Sequence, residues 1–224
     1  GTFTDNHETI DELLKLTNLN KDARDKIGNT ALISASVAKN HINLEKLLNS
    51  GFDPNAQNKD AVAAIHILAA NNDTESMTRL INHEKTDINL KQADTLPALY
   101  IATSYDNEKI VEMLLNKGAE LNLTSPDNKL KIENPLIFTV AGSLISGGTG
   151  SEKVANLLLR KGFRLSKEEL NDLKKVHEII GNANPLINKL LKTHGLELTE
   201  DQALLKAADS EDSSALSLRE KAGE

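Results

Sequence analysis

One spacing recurs along this chain and constrains its fold more than any other feature. The apolar anchors Leu32, Ile65 and Leu99 stand 33 and then 34 residues apart, in the segments Ala31-Leu32, Ala64-Ile65-His66-Ile67-Leu68-Ala69 and Ala98-Leu99-Tyr100-Ile101-Ala102. A second landmark keeps the same step: Leu47-Leu48, Leu80-Ile81 and Leu114-Leu115. Self-similarity at such a period marks stacked repeats, in which each unit cannot bury its apolar face alone and neighbouring units bury it together. Composition agrees. Only 3% of residues are aromatic and none is Trp, so Leu, Ile and Ala must build thin helical layers rather than one core filled by large rings.

The physics of one unit follows from its residues. Thr30 is placed to cap a first helix, its hydroxyl accepting an orphan backbone N–H. Leu32, Ala35 and Ser36 then form an inner helix with small residues that let layers approach. Leu44, Leu47 and Leu48 share one face of a second, outer helix at helical spacing. Gly51 supplies the left-handed residue that ends it, and residues 53–60 cross to the next unit as a hairpin-like finger. A fourth copy opens at Asn134-Pro135-Leu136-Ile137-Phe138, with Asn134 as cap and Pro135 in the first turn, and closes at Leu158-Leu159-Arg160-Lys161-Gly162. It is stretched by extra residues at 124–133, with a turn at Ser125-Pro126-Asp127-Asn128, and at 142–150. Limited proteolysis is expected to cut first at 142–151 or in the tail.

These residues resemble the ankyrin family, whose unit of about 33 residues carries a Thr-Pro-Leu-His-x-Ala signature. The resemblance covers roughly Asp25 to Leu165. His66 alone fills the signature His; Ile33, Tyr100 and Ile137 replace it in the other copies. The implied fold is all-α, a solenoid of about four repeats with divergent helical caps. Its expected divisions are an N-terminal cap over 1–24, repeats over 25–165, a divergent C-terminal repeat over 166–198, and a last helix with a flexible acidic tail over 199–224. Ile10, Leu13 and Leu14 mark the first cap. Ser166 with Glu169 forms a capping box that starts a helix reaching Ile180, and Gly181 closes it. Asn184-Pro185 opens another helix, and Thr199 with Gln202 forms a further capping box.

The resemblance also implies a function: holding a protein partner in a concave groove of finger tips and inner-helix surfaces. Carried onto this sequence, the expected contacts are Lys26 and Asn29 in the first copy; Lys59, Asp60, Val62, Ala70 and Asn71 in the second; Asp94, Leu96, Ser104 and Tyr105 in the third; and Lys129 and Lys131 on the long finger. Tyr105 leads, because aromatics are scarce here and an exposed Tyr is favoured at interface hot spots. The competing reading is that Tyr105 packs on the next layer.

Other functions find little support. With no Cys, disulfides and thiolate zinc sites are excluded. A net charge of −7 argues against nucleic acid, and no segment has the roughly 18 unbroken apolar residues of a membrane span. The six histidines fall in different layers without a ligand spacing; His66 is expected to bond to its preceding turn, and the rest to lie at the surface. Gly147-Gly148-Thr149-Gly150-Ser151-Glu152-Lys153 lacks the spacing and preceding strand of a phosphate loop, and Ser151 is expected to cap the next helix. No enzymatic activity and no cofactor are expected. A monomeric, cytoplasmic adaptor is the first expectation. The alternative is the targeting segment of a larger effector or enzyme, for instance a bacterial one acting in a host cytosol, because the chain lacks an initiator Met and ends in an acidic tail.

Overall fold

The computed structural model describes residues 7–90, 96–121, 123–124, 131–132, 134–137, 139–140, 152–180 and 184–195. Its helices are α1 (His7–Leu14), α2 (Ala31–Val37), α3 (His41–Asn49), α4 (Ala64–Asn71), α5 (Thr74–Asn82), α6 (Ala98–Ser104), α7 (Glu108–Asn116), α8 (Glu152–Arg160), α9 (Lys167–Ile180) and α10 (Pro185–Thr193). Residues 135–137 and 139–140 are also helical. The inner helices α2, α4 and α6 pack in one row, and the outer helices α1, α3, α5, α7 and α8 in a second. This is the all-α repeat stack expected.

Local chemistry sets where each helix begins and ends. The Thr30 hydroxyl accepts from the Ile33 N–H at 3.2 Å. Asn40 and Asp73, at the same place in their repeats, accept from the N–H of Asn43 and Ser76. Asn134 and Asn184, each followed by Pro and Leu, cap the segments they open. Ser166 and Glu169 form the capping box, their two bonds measuring 2.7 and 3.2 Å. Between inner and outer helices the chain turns through Lys39, Asn72 and Asp106, all at positive φ. Asn and Asp favour that region through short polar side chains that bond locally, whereas Lys39 adopts it without that help. Gly51, at φ +78°, ends α3 as expected.

The core runs unbroken through the stack, from Leu32 and Leu44 to Leu190 and Leu191. Leu47, Leu80, Leu114 and Leu158 are buried, but Leu115 is only half-buried and Leu159 likewise. Leu115 therefore does not lie deep in its layer; Leu114 does. On α9, Glu168, Asn171, Asp172 and Lys175 are exposed. Gly181, the residues at 142–151, and Thr199 with Gln202 lie outside the described residues.

The fingers are tied to each other by side chains. Asp25 and Asn58, 33 residues apart, each fold a tip by accepting backbone N–H groups, Ile27 and Asn29 at Asp25, Asp60 and Val62 at Asn58. Gly28 sits so close to the next finger that a Cβ would lie 2.9 Å from Lys59 Cγ, at φ +87°. In the fourth finger two short strands, β1 (Leu123–Thr124) and β2 (Lys131–Ile132), pair antiparallel. They are the only strand pairing among the described residues.

Candidate protein-binding surface

The expected contact residues fall into three groups. On the first two fingers, Lys26, Asn29, Lys59, Asp60 and Val62 are brought together, but not all are at liberty. Asn58 donates to the Asn29 side-chain oxygen at 2.9 Å, and Lys59 Nζ donates to the Lys26 carbonyl at 2.8 Å. Arg24 adds bonds to the Gly28 and Gln57 carbonyls. Asn29 and Lys59 thus clamp finger to finger, while the Lys26 and Asp60 side chains are exposed. These clamps had no signal within either finger alone; they need both in register.

The second group lies at the inner-helix ends. Val37, Ala70 and Ser104 form one column at the repeat spacing, and Ala38, Asn71 and Tyr105 the next. Tyr105 is 65% exposed, which removes the reading that it packs on the next layer. Ser104 is half-buried, its hydroxyl donating to the Tyr100 carbonyl at 2.9 Å. Sequence reasoning missed two neighbours, Val37 at 57% and Ile27 at 61% exposure. The signal was present: their register partners are Ala70 and Ser104, and Asp60 and Asp94, so a large apolar side chain stands out at each.

The third group is the third and fourth fingers. Leu96 is half-buried and packs against the core. Lys131 lies in β2 opposite Thr124. Asp94 and Lys129 are outside the described residues.

The histidines divide differently from the expectation that all but His66 lie at the surface. His66 is buried; Ala63 N–H donates to its Nδ1 and its Nε2 bonds the Leu90 carbonyl, both at 3.1 Å. His177, on α9, is also buried, with an Nδ1 that has no hydrogen-bond partner, and so corrects the expectation. His194 is half-buried: it accepts from Leu165 N–H at Nε2 and donates from Nδ1 to the Leu190 carbonyl. No group of three His, Asp or Glu among the described residues is placed to hold a metal ion, and no described helix is long and apolar enough to cross a membrane.

Behind the finger and helix ends, polar side chains stitch layer to layer. Asn107 Nδ2 donates back to the Ala69 carbonyl at 2.6 Å and the Ala70 carbonyl at 3.3 Å. Its neighbour Asp106 reaches forward and accepts from the Val154 N–H at 2.9 Å, capping α8 from another repeat. Ser151, expected in that role, is outside the described residues. On the outer row, Asp11–Lys46, Glu45–Arg79, Glu108–Arg160 and Glu152–Lys189 pair across layers; exposed pairs of this kind each add under about 1 kcal/mol.

A family model for ankyrin repeats, in three copies, matches residues 37–125. Residues 37–125 of the chain are thus ankyrin repeats. The chain is similar to transient receptor potential cation channel subfamily A member 1 of Homo sapiens, 37% identical over 97 residues, or 43% of this chain. That stretch is only 9% of the channel's length. Ankyrin repeats generally mediate protein–protein interaction, and the family is typically non-catalytic.

Proposed function

We propose that this protein is a non-catalytic adaptor that binds a protein partner along the edge formed by its finger tips and inner-helix ends. The observation that carries the reading is the contrast at Tyr105: a large aromatic, 65% exposed at an inner-helix end, in a chain whose outer-helix leucines Leu47, Leu80 and Leu114 are buried. Lys26, Asp60, Val62, Asn71, Ser104 and Tyr105 lead the proposed contact set, with Asn29 and Lys59 shaping the fingers beneath them. Val37 and Ile27 extend it. Asp94, Leu96, Lys129 and Lys131 continue it on the later fingers. The protein acts as a cytosolic monomer in this reading, without nucleic acid or cofactor, and its units divide at 24, 165 and 198.

A second reading, that the chain is the targeting part of a larger protein, is favoured by one observation. In the relative named above, the matched repeats occupy a small share of a much longer chain. A bacterial effector acting in host cytosol is one form of this alternative.

The test is a pair of variants against whichever partner co-purifies with the wild type. Tyr105→Ala combined with Asp94→Lys is expected to weaken binding by at least ~2 kcal/mol, through a lost aromatic anchor and a reversed charge. Glu112→Lys on the outer helix α7 is expected to leave affinity unchanged. If the Glu112 variant abolishes binding and the double variant does not, the partner site lies on the outer row instead.

A further inference from the structure

At the same place in their repeats the inner helices carry Ile33, His66 and Tyr100, and the last two bond a carbonyl of the finger that follows. Ile33 is buried and has nothing to titrate. Tyr100 donates its hydroxyl to the Leu121 carbonyl, and burial pushes its pKa up to about 12, so it is neutral in any ordinary solution. His66 alone can change charge near neutrality.

Both nitrogens of that ring are committed. The Ala63 N–H is a donor, so Nδ1 must be unprotonated, and Nε2 therefore carries the hydrogen and donates to the Leu90 carbonyl. A second proton has only Nδ1 to occupy, where it would oppose the Ala63 N–H, donor against donor. The charged ring would also stand at 2% exposure beside Ala63, Ala64 and Ile65. Little around it offers a counter-charge. The flanking helices α2 and α6 contain no ionisable residue except Tyr100. On α5, Glu75 and Arg79 pair with each other and with His41 and Glu45 of α3. On the described part of the finger, Glu84, Lys85 and Asp87 are exposed and His83 is half-buried.

We propose that His66 is an acid-released latch on the third finger: protonation forces the ring from its site, breaks both of its bonds and loosens the finger around Leu90. The base of that finger stays tied, because Asn55 holds the Asp87 N–H and the Lys85 carbonyl at 2.8 and 2.7 Å. The second finger stays docked as well, since the Asn29–Asn58, Arg24 and Lys59 ties contain no histidine. Burial lowers the His66 pKa from its ordinary value. The latch is therefore fully closed above the pH at which a free imidazole titrates, and opens as pH falls through that value toward the lower, folded one.

Site-resolved amide exchange on the full chain, as protection factors from about pH 8 to about pH 5, tests this against the ring titration of each histidine followed by NMR. The Asn89 and Leu90 amides are expected to lose at least ~10-fold in protection, with a midpoint that follows the His66 ring, while Ala61 and Val62 on the second finger hold theirs. His66→Gln is expected to remove the pH dependence. Should that variant fail to fold, the wild-type midpoints decide. Flat protection at Leu90 across the range, a midpoint that follows His41, His83, His177 or His194, equal loosening of both fingers, or persistence of the effect in a folded His66→Gln would each overturn the latch.

Discussion

Along the outer helices Leu47, Leu80 and Leu114 stand one repeat apart and each is buried; along the inner-helix ends Ala38, Asn71 and Tyr105 stand at the same spacings and each is exposed. The first column keeps one residue type and the second changes at every step. A side chain that meets its own counterpart across each layer is limited by the space between helices. One that faces water has no such limit. The exposed columns show the same drift elsewhere: Ile27 gives way to Asp60, and Ile42 to Glu75 and Lys109. Identity that wanders while position is kept is what a surface free to adapt to a partner needs.

The strongest challenge to this contrast lies inside the outer row. Leu114→Ala should cost ~2–5 kcal/mol in denaturant unfolding, because a fully buried side chain leaves a cavity. Leu115→Ala, half-buried beside it, should cost less than half as much. Equal losses would show that burial does not separate the two positions. A smaller effect joins row to edge. Asn107 donates to the carbonyls that end α4, whereas Asp73, its counterpart one repeat earlier, has a buried Oδ2 with no hydrogen-bond partner. Asp73→Asn keeps the cap on Ser76 and adds a donor, so it should raise stability by ~1 kcal/mol, seen as a higher denaturant midpoint at unchanged slope. A loss instead would mean the Asn107 stitch is peculiar to the third repeat. Smallest of all, Tyr105→Ala alone should change stability by no more than ~0.5 kcal/mol. A larger loss would move Tyr105 into the packed class and remove the leading residue of the proposed surface.

Much of the fold was legible because helix formation and capping are local. Thr30, Asn134, Asn184 and the Ser166–Glu169 box each act within four residues of their own position, so spacing alone revealed them. The proposed surface was less legible. Lys59 and Asn29 look like free finger residues until the next finger is placed 33 residues away, and then their polar groups are engaged. Ile27 and Val37 look like ordinary apolar residues until their columns are aligned with exposure. His177 has no local pattern at all; the packing of α9 against α10 buries it.

By itself, then, the sequence determined the period, the pair of helices in each unit, the caps at their ends and the family the repeats resemble, since each depends on residues within a few turns of one another. Only the tertiary structure decided which side chains bind across layers. Asp106 caps a helix whose N–H lies 48 residues on, past two insertions, and His66 reaches a carbonyl 24 residues away. Apolar periodicity tells a chain which face to bury, but a hydrogen bond needs two particular atoms within about 3 Å, and that distance exists only once the layers are stacked.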